Sequence, residues 1–370
     1  MREAPIPSRH GWHARVAWLV LAIAALGPAA ASAVAKDGPD PDPAQRVGYR
    51  YYEIGDLDKQ RPAATEPGLM MVGGGEWPYA AFRWLIGKAG HGRIVILRAS
   101  GTTEAQDEFF NDIGGVTAAQ TLVFEDRRAA SDPQVLDIVR QADGLFIAGG
   151  DQSNYVRYWK GTPLNEAINQ HVREGKPLGG TSAGLAIMGA YSYGAMDGGS
   201  LTSEEALKDP MGPGVTLVDD FLQLPLLPGE VITDSHFDER NRLGRLLTFV
   251  ARLAKAHAAA DIKGLGVDEN TALCIGADGV GRVFTDSRGL VRLVVPQALK
   301  EQRARGSAQD YRQFMAARLM PGQVLNFPGF KVTGIGSDSR LLLPAFAVQD
   351  PAFESEADVV EGRLVLRPLD

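Results

Sequence analysis

The sequence contains a single cysteine, Cys274, among 370 residues. One cysteine cannot form an intramolecular disulfide, so the chain must draw its stability from a hydrophobic core. Basic blocks are also absent and the formal net charge is −7, which gives no electrostatic reason to expect a nucleic acid or an anionic membrane surface as partner. After the N-terminal segment, no apolar run is long enough to suggest a membrane span. These absences favour a soluble globular protein.

The first 35 residues differ in kind from the rest of the chain. Three arginines precede a short apolar stretch, residues 16–26, and a run of small residues follows it. This order is typical of a secretory signal peptide, with cleavage after Ala33 or Ala35. The alternative, an uncleaved membrane anchor, is disfavoured because a span needs about 20 apolar residues. We therefore predict an exported protein, periplasmic or extracellular, without membrane association after cleavage of residues 1–35.

The remaining chain divides into three parts by pattern. Residues 36–67 predict a linker and a loosely packed first segment, since they begin Pro/Asp-rich and show little periodicity. In residues 68–280, continuous apolar strands alternate with amphipathic helices, which predicts an α/β domain with a mostly parallel sheet and helices on both faces. Residues 281–370 predict a β-rich C-terminal extension that packs on the sheet or mediates oligomers, a homodimer being one option.

The stretch KPLGGTSAGLAIMGAYSY, residues 176–193, is the most informative in the sequence. An apolar approach ends in glycines, Ser182 follows among small residues, and an apolar, helix-compatible run begins at Leu185. This pattern predicts a nucleophile elbow, whose strained turn tolerates only small neighbours. The same turn leaves the amide of Ala183 at a helix N-terminus, where it can stabilise an oxyanion. A glycine-rich turn with Ser182 as a helix cap would have the same sequence, so partner residues must decide.

A nucleophilic serine needs a base, and the chain after the predicted leader contains four histidines. His236 is our candidate base because it alone follows directly on a predicted strand. His91 lies in a glycine-flanked loop. His171 and His257 lie in helical stretches, where a solvated or packed histidine is the ordinary expectation.

The acid that would orient the base is predicted to be Glu269. It lies between two apolar runs, where an unpaired carboxylate would be costly, and pairing with His236 would remove that cost. Asp268 and Asp234 compete for this role, and sequence spacing does not choose among the three.

Two further groups of residues are candidates for contact with a substrate. Gly150 and Asp151 follow a predicted strand, where they can supply a second oxyanion donor, and Gln152 can contact the substrate. A turn in which Asp151 or Ser153 caps the next helix is compatible with this role.

Three arginines, Arg240, Arg242 and Arg245, follow His236 in a predicted helix that begins near Asp238. One or two of them can bind a substrate carboxylate in bidentate fashion. The alternative is a solvated helix face with ordinary ion pairs.

The three glycines at positions 73–75 do not have the G-x-G-x-x-G spacing of a dinucleotide site. We interpret them as a tight turn near the site. No cofactor and no metal are expected.

Four motifs carry a family resemblance: Gly149-Gly150-Asp151-Gln152, Gly180-Thr181-Ser182-Ala183-Gly184, Asp234-Ser235-His236-Phe237 with its spaced arginines, and Asp268-Glu269-Asn270-Thr271-Ala272. In this order they resemble the cyanophycinase branch of the S51 serine peptidases, over roughly residues 68–276. The resemblance implies a class I glutamine amidotransferase-like, flavodoxin-like fold. It also implies cofactor-free hydrolysis through an acyl-enzyme, with a triad on Ser182, His236 and Glu269. Similar enzymes release β-aspartyl-arginine dipeptides from cyanophycin, a polyaspartate decorated with arginine, and others are aspartyl dipeptidases.

One position departs from the family pattern, because Ser235 stands where that pattern has a glutamine in the substrate site. Asp234 and Ser235 are thus candidate substrate-binding residues. The sequence predicts an exported serine peptidase acting on β-aspartyl or aspartyl peptides, with cyanophycin as the first candidate. An α/β-hydrolase-type esterase or lipase is one rival, although its Ser, acid, His order would need His257 or an acid between Ser182 and His236. A non-catalytic exported binding protein on the same scaffold is the other.

Overall fold

The computed structural model describes residues 47–258 and 261–369. The predicted signal peptide, residues 1–35, and the beginning of the predicted linker lie outside the described residues. None of the helices within these two ranges is long and apolar enough to cross a membrane.

Strands make up most of the regular structure. In chain order they are β1 (Tyr49–Gly55), β2 (Gly68–Val72), β3 (Arg93–Arg98), β4 (Ala118–Phe124), β5 (Gly144–Ile147), β6 (Leu178–Thr181), β7 (Tyr191–Tyr193), β8 (Leu217–Asp219), β9 (Val231–Asp234), β10 (Lys263–Val267), β11 (Thr271–Gly276), β12 (Val280–Thr285), β13 (Val291–Val295), β14 (Phe327–Ile335), β15 (Arg340–Leu342), β16 (Ala347–Gln349), β17 (Phe353–Val360) and β18 (Arg363–Pro368).

The α-helices lie between the strands. They are α1 (Tyr79–Lys88), α2 (Glu104–Asp107), α3 (Pro133–Gln141), α4 (Gln152–Trp159), α5 (Pro163–Arg173), α6 (Ala183–Ala186), α7 (Ser203–Lys208), α8 (Leu243–His257), α9 (Gln297–Arg305) and α10 (Ala308–Arg318). A short π-helix, Glu108–Ile113, and a 3-10 helix, Arg127–Ser131, complete the set.

The first sheet has the order β1-β4-β3-β5-β6-β2-β11-β12-β15-β16. Its strands β4, β3, β5, β6 and β2 are parallel. Numbered along the chain, these five strands lie in the order 3-2-4-5-1. The predicted flavodoxin-like order, 2-1-3-4-5, is thus matched by β4-β3-β5-β6 but not by β2, which is the first of the five in the chain and the last in the sheet. Alternate side chains of β3 enter different cores, Val95 and Leu97 on one face and Ile94 and Ile96 on the other. Both faces are therefore buried, as continuous apolar strands require.

The second sheet has the order β18-β17-β14-β13-β10-β9-β7-β8. Its central strands β9 and β10 are parallel, with Asp234 opposite Gly266. The prediction of an α/β architecture is confirmed. The prediction of one sheet was wrong, because the strands before His236 and Glu269 belong to this second sheet. The reason lies after the elbow, where α6 has only four residues and the chain enters β7 instead of a long helix.

Strands predicted to lie outside the central domain are integrated into both sheets. β12, β15 and β16 extend the first sheet, whereas β13, β14, β17 and β18 extend the second. The stretch 36–67 was predicted to be loose, yet its strand β1 pairs antiparallel with all of β4. β1 is rich in tyrosine and half-buried, as is typical of an edge strand. An edge strand needs a less regular alternation of apolar and polar residues than a strand in the core.

Candidate active site

The ends of β6, β9 and β10 bring together one serine, one histidine and one glutamate. The Oγ atom of Ser182 lies 2.6 Å from Nε2 of His236. The Nδ1 atom of the same imidazole lies 2.5 Å from Oε1 of Glu269. A continuous chain of hydrogen bonds thus joins the serine hydroxyl to a carboxylate through the imidazole, which is the geometry of a nucleophile, base and orienting acid.

Ser182 has a φ of 54°, a strained conformation for a residue with a side chain. Close packing maintains it, because no free space is left for a side chain at the glycines on either side. A Cβ atom on Gly184 would lie 2.1 Å from the carbonyl oxygen of Ile147, and one on Gly180 would lie 2.6 Å from Cε of Met188. A side chain at position 184 is therefore excluded by the backbone, whereas one at position 180 would displace the end of Met188. Oγ projects from this turn.

The carboxyl end of β2, residues 72–74, holds all three segments of the site, and we call it the β2 anchor. Its three carbonyl oxygens accept hydrogen bonds from three backbone amides. The pairs are Ser182 N to Val72 O at 3.0 Å, His236 N to Gly73 O at 2.7 Å, and Asn270 N to Gly74 O at 2.8 Å. The β2 anchor therefore fixes the elbow and both turns of the second sheet to one strand end.

Gly74 also packs against the imidazole of His236. Its φ is 104°, and an added Cβ would lie 2.2 Å from Cε1 and 2.6 Å from Nε2 of that ring. Only glycine fits here, since both the backbone conformation and the space exclude a side chain. The glycine triplet after β2 was the sequence signal for this contact, although the pattern did not reveal its partner.

Burial lowers the pKa of His236 below its usual value, and the neighbouring Arg240 adds to this effect. The hydrogen bond to Glu269 acts in the opposite direction and raises the pKa. The net lowering favours the neutral imidazole, which can accept a proton from Ser182 near neutral pH.

The two competing acids are engaged elsewhere. Asp268 pairs with Arg292 and accepts a hydrogen bond from the amide of Leu290 at 2.9 Å. Asp234 is paired with Arg245 at 2.5 Å. Of the three candidate carboxylates, the structure brings Glu269 to the imidazole.

A pocket of about 350 Å³ opens beside Ser182 and His236. Several predicted site residues line it, namely Gly150, Asp151, Gln152, Ala183, Ser235, Arg240 and Arg242. Other lining residues were not predicted from the sequence, including Arg157 and the loop residues Gly198, Gly199 and Ser200. Arg157 lies on α4, and no feature of the surrounding sequence distinguishes it from an ordinary surface arginine. The pocket can thus present cationic groups beside the serine.

The other three histidines lie in other surroundings. His171 is buried with Nε2 against the carbonyl oxygen of Pro177, and burial lowers its pKa to about 4. The ring of His257 lies 4.8 Å from that of Tyr191, and His91 contacts the carbonyl of Gly115. The rival α/β-hydrolase order Ser, acid, His would need His257 as the base or an acid between Ser182 and His236. The structure brings neither of these arrangements together at Ser182.

Comparison with known proteins assigns the chain to a family. The sequence model of peptidase family S51 matches residues 99–283, which is 185 of 370 residues. The chain belongs to peptidase family S51. It is therefore a serine-type peptidase, as the sequence predicted.

Two relatives of this S51 peptidase are named cyanophycinase. That of Trichormus variabilis is 32% identical over 254 residues, which are 66% of this chain and 78% of the relative. That of Synechococcus elongatus is 36% identical over 207 residues, 55% of this chain and 58% of the relative. A solved peptidase from an acI-B1 Actinobacterium is 20% identical, with a TM-score of 0.44, and the match covers 62% of this chain and 91% of that one.

Two predicted substrate contacts of the S51 peptidase do not reach its pocket. Arg245 is 1% exposed and Asp234 is 2% exposed. They form a bidentate ion pair, in which Nε of Arg245 lies 2.7 Å from Oδ2 of Asp234 and Nη2 lies 2.5 Å from Oδ1. Arg245 also donates to Ser200 Oγ at 2.9 Å. This pair lies behind the lining, so it supports the pocket wall instead of facing a substrate.

The other predicted contacts line the pocket of the S51 peptidase in different ways. Arg242 donates to the carbonyl oxygen of Ser235 at 2.7 Å, so its guanidinium is partly occupied. Arg240 is exposed, and within residues 47–258 and 261–369 it forms no ion pair with a carboxylate. Asp151 caps α4 by accepting from the amide of Ser153 at 2.8 Å, which is the capping role compatible with its place in the turn.

Proposed function

We propose that Ser182, His236 and Glu269 are the catalytic triad of this peptidase. The observation that carries the proposal is the continuous hydrogen-bond chain, 2.6 Å and 2.5 Å long at its two steps. His236 acts as base and then as acid, while Glu269 holds the imidazole tautomer and stabilises the imidazolium.

The reaction follows from these roles. Ser182 Oγ bonds to the substrate carbonyl carbon while its proton passes to Nε2 of His236. The C–N bond then breaks, and the leaving amine takes that proton, which leaves an ester on Ser182. Water, deprotonated by His236, attacks this ester and releases the acid product with regeneration of the serine hydroxyl.

The negative charge that develops on the carbonyl oxygen needs donors. We assign this role to the amides of Ala183 and of the turn Gly150-Asp151, which line the pocket beside Ser182. The neighbouring Gly149 supports this, since a Cβ there would lie 3.3 Å from Cβ and 3.7 Å from Oγ of Ser182. The turn after β5 therefore lies against Ser182, and backbone donors beside a nucleophile are suited to an oxyanion.

The substrate is a carboxylate-rich peptide with β-aspartyl or aspartyl linkages, and cyanophycin is the first candidate. Arg157, Arg240 and Arg242 line the pocket. Arg157 and Arg240 are exposed, and no described carboxylate neutralises them. Such guanidinium groups are suited to bidentate binding of carboxylates. The name of the relatives from Trichormus variabilis and Synechococcus elongatus points to the same polymer.

The test is hydrolysis of cyanophycin and of short β-aspartyl peptides by protein that begins at residue 36, beside Ser182→Ala. Ser337→Ala, an exposed serine in a distant turn, is the matched control. Release of β-aspartyl-arginine that is lost only in Ser182→Ala supports the proposal. Labelling of Ser182 by a fluorophosphonate without such release refutes the substrate and keeps the nucleophile. Failure of Ser182 to be labelled refutes the mechanism.

Export is part of the same proposal and rests on the pattern of residues 1–35. Expression of the full chain in a bacterial host, followed by N-terminal sequencing of periplasmic material, tests it. A new N-terminus at Val34 or Lys36 supports export, and a chain that keeps Met1 in the cytoplasm contradicts it.

A further inference from the structure

Arg292 lies on β13, beyond the segment 99–283 that matches the family. Its guanidinium contacts the two turns that carry His236 and Glu269. We propose that Arg292 is a positioning residue that keeps Glu269 in line with His236. The proposal rests on the triad proposed above, because it assigns to Arg292 an effect that acts through Glu269.

The contacts of Arg292 join residues adjacent to the triad. Its Nη2 atom lies 3.0 Å from Oδ1 of Asp238, and Nη1 pairs with Oδ1 of Asp268. Its Cζ atom lies 5.6 Å from the ring centre of Phe237, the residue after His236. We call Arg292 with Asp238 and Asp268 the Arg292 clamp.

The two turns are also linked without Arg292. Asp268 accepts a hydrogen bond from the amide of Asp238 at 3.1 Å. The amide of Glu269 donates to Oε2 of Glu239 at 3.1 Å. Each link connects a residue shortly after His236 to Glu269 or its neighbour. The separation of the turns determines the distance from the Glu269 carboxylate to Nδ1 of His236. Arg292 bridges the two turns with a planar guanidinium that can bind two carboxylates at once.

Charge supports the same reading. The side chain of Asp268 is 6% exposed, so an unpaired carboxylate there would be costly, and burial raises its pKa. Arg292 opposes this rise and favours the ionised form. The buried acid beside Glu269 therefore has its own cation and does not need to compete for the imidazole.

Arg292 does not line the pocket, so its loss should change the chemical step and not substrate binding. The experiment measures kcat and KM together with the rate constant for labelling of Ser182 by a fluorophosphonate, which needs no knowledge of the substrate. The variants are Arg292→Met, Arg292→Lys and Asp238→Asn. Asp238 has a side chain that is 72% exposed, so its variant tests the clamp even if Arg292→Met fails to fold. Arg282→Met, in β12 of the first sheet, removes an arginine that pairs with Asp278 and lies outside the clamp, and is the matched control.

We expect Arg292→Met to lower kcat and the labelling rate roughly tenfold to hundredfold, since a misplacement of about 1 Å costs up to about 10²-fold. Arg292→Lys and Asp238→Asn should lose less, KM should stay within about twofold, and Arg282→Met should match the wild type.

The decisive measurement is the labelling rate of the same Arg292 and Asp238 variants when each also carries Glu269→Gln. If Arg292 acts through Glu269, Arg292→Met lowers the labelling rate no further there, because coupled residues are non-additive. An equal loss in both backgrounds, or a folded Arg292 variant as fast as wild type, overturns the proposal and leaves the triad intact. A wild type that is not labelled at Ser182 overturns the triad, and this proposal with it.

Discussion

Replacement of Gly74 by alanine should slow catalysis strongly while leaving the protein folded. The new Cβ would lie 2.2 Å from Cε1 of His236, whereas ordinary contact begins at 3.4 Å, so the ring must move by 3.4 − 2.2, or about 1.2 Å. The hydrogen bonds of 2.6 Å and 2.5 Å on its two sides cannot both survive that movement. Because a misplacement of about 1 Å costs about 10²-fold, we expect kcat to fall roughly a hundredfold.

Backbone strain must be separated from this contact. Alanine in the left-handed α region costs about 1–2 kcal/mol, and the φ of 104° at Gly74 is also unfavourable for a residue with a side chain. Gly161 has a φ of 66°, and a Cβ there meets nothing within 4 Å. Gly161→Ala therefore also places alanine at a positive φ but makes no such contact. The assay is kcat and the fluorophosphonate labelling rate, with urea unfolding to measure stability. A folded Gly74→Ala enzyme within threefold of wild-type kcat, or an equal loss in Gly161→Ala, would refute the reasoning.

Three further predictions concern the site and its support. Glu269→Gln should lower kcat by about 10³–10⁴-fold, since the imidazole loses the group that holds its tautomer. Steady-state kinetics measure this loss, and urea unfolding should show that stability is little changed. A loss of kcat under tenfold contradicts the assignment of Glu269. In a pH profile of kcat/KM, the acid limb should have its midpoint below about 6.5, because burial lowers the pKa of His236 and the neutral imidazole is the active form. Glu269→Gln should move that limb to still lower pH, since the carboxylate raises this pKa, and an upward shift would show the sign to be wrong. Arg245→Met should destabilise the fold by roughly 3–5 kcal/mol in urea unfolding, because it leaves Asp234 buried without its main partner. Arg240→Met should change stability by less than about 0.5 kcal/mol and raise KM about tenfold, since a charged hydrogen bond contributes about 1.5–3 kcal/mol; the reverse ranking would contradict the two placements.

Strand ends were predictable because their signals are local. An apolar run followed by glycine or a polar residue describes β5 with Gly149, β6 with Ser182 and β9 with His236 without reference to any partner strand. The small neighbours of Ser182 likewise report a steric requirement of one turn. The elbow and the strand-end location of the histidine could therefore be predicted from sequence alone.

Strand partners could not be predicted in the same way. The run of β9 would be equally apolar beside β2 or beside β10, so its pattern did not reveal the second sheet. The length of α6 was hidden too, since the apolar residues after Leu185 fit a helix as well as the approach to β7.

The roles of the arginines after His236 depended on where the next helix begins. The sequence predicts a helix from Asp238 that contains all three arginines, but α8 begins at Leu243. Arg240 therefore lies in the preceding turn, exposed at the pocket, while Arg245 lies in the first turn of α8 and faces Asp234. A shift of helix start by little more than one turn separates a substrate contact from a buried ion pair.

The β2 anchor has a consequence for the order in which the parts of the site become available during synthesis. β2 is made before its sheet neighbours β6 and β11, and the amides that its carbonyls accept lie in three later segments. The ribosome must pass Asn270 before the last of these partners exists. Before that point the amides of Ser182 and His236 already have their carbonyl partners in the β2 anchor, and only the turn that carries Glu269 does not. The proposed orienting acid therefore lies in the last segment of the site that the β2 anchor can hold.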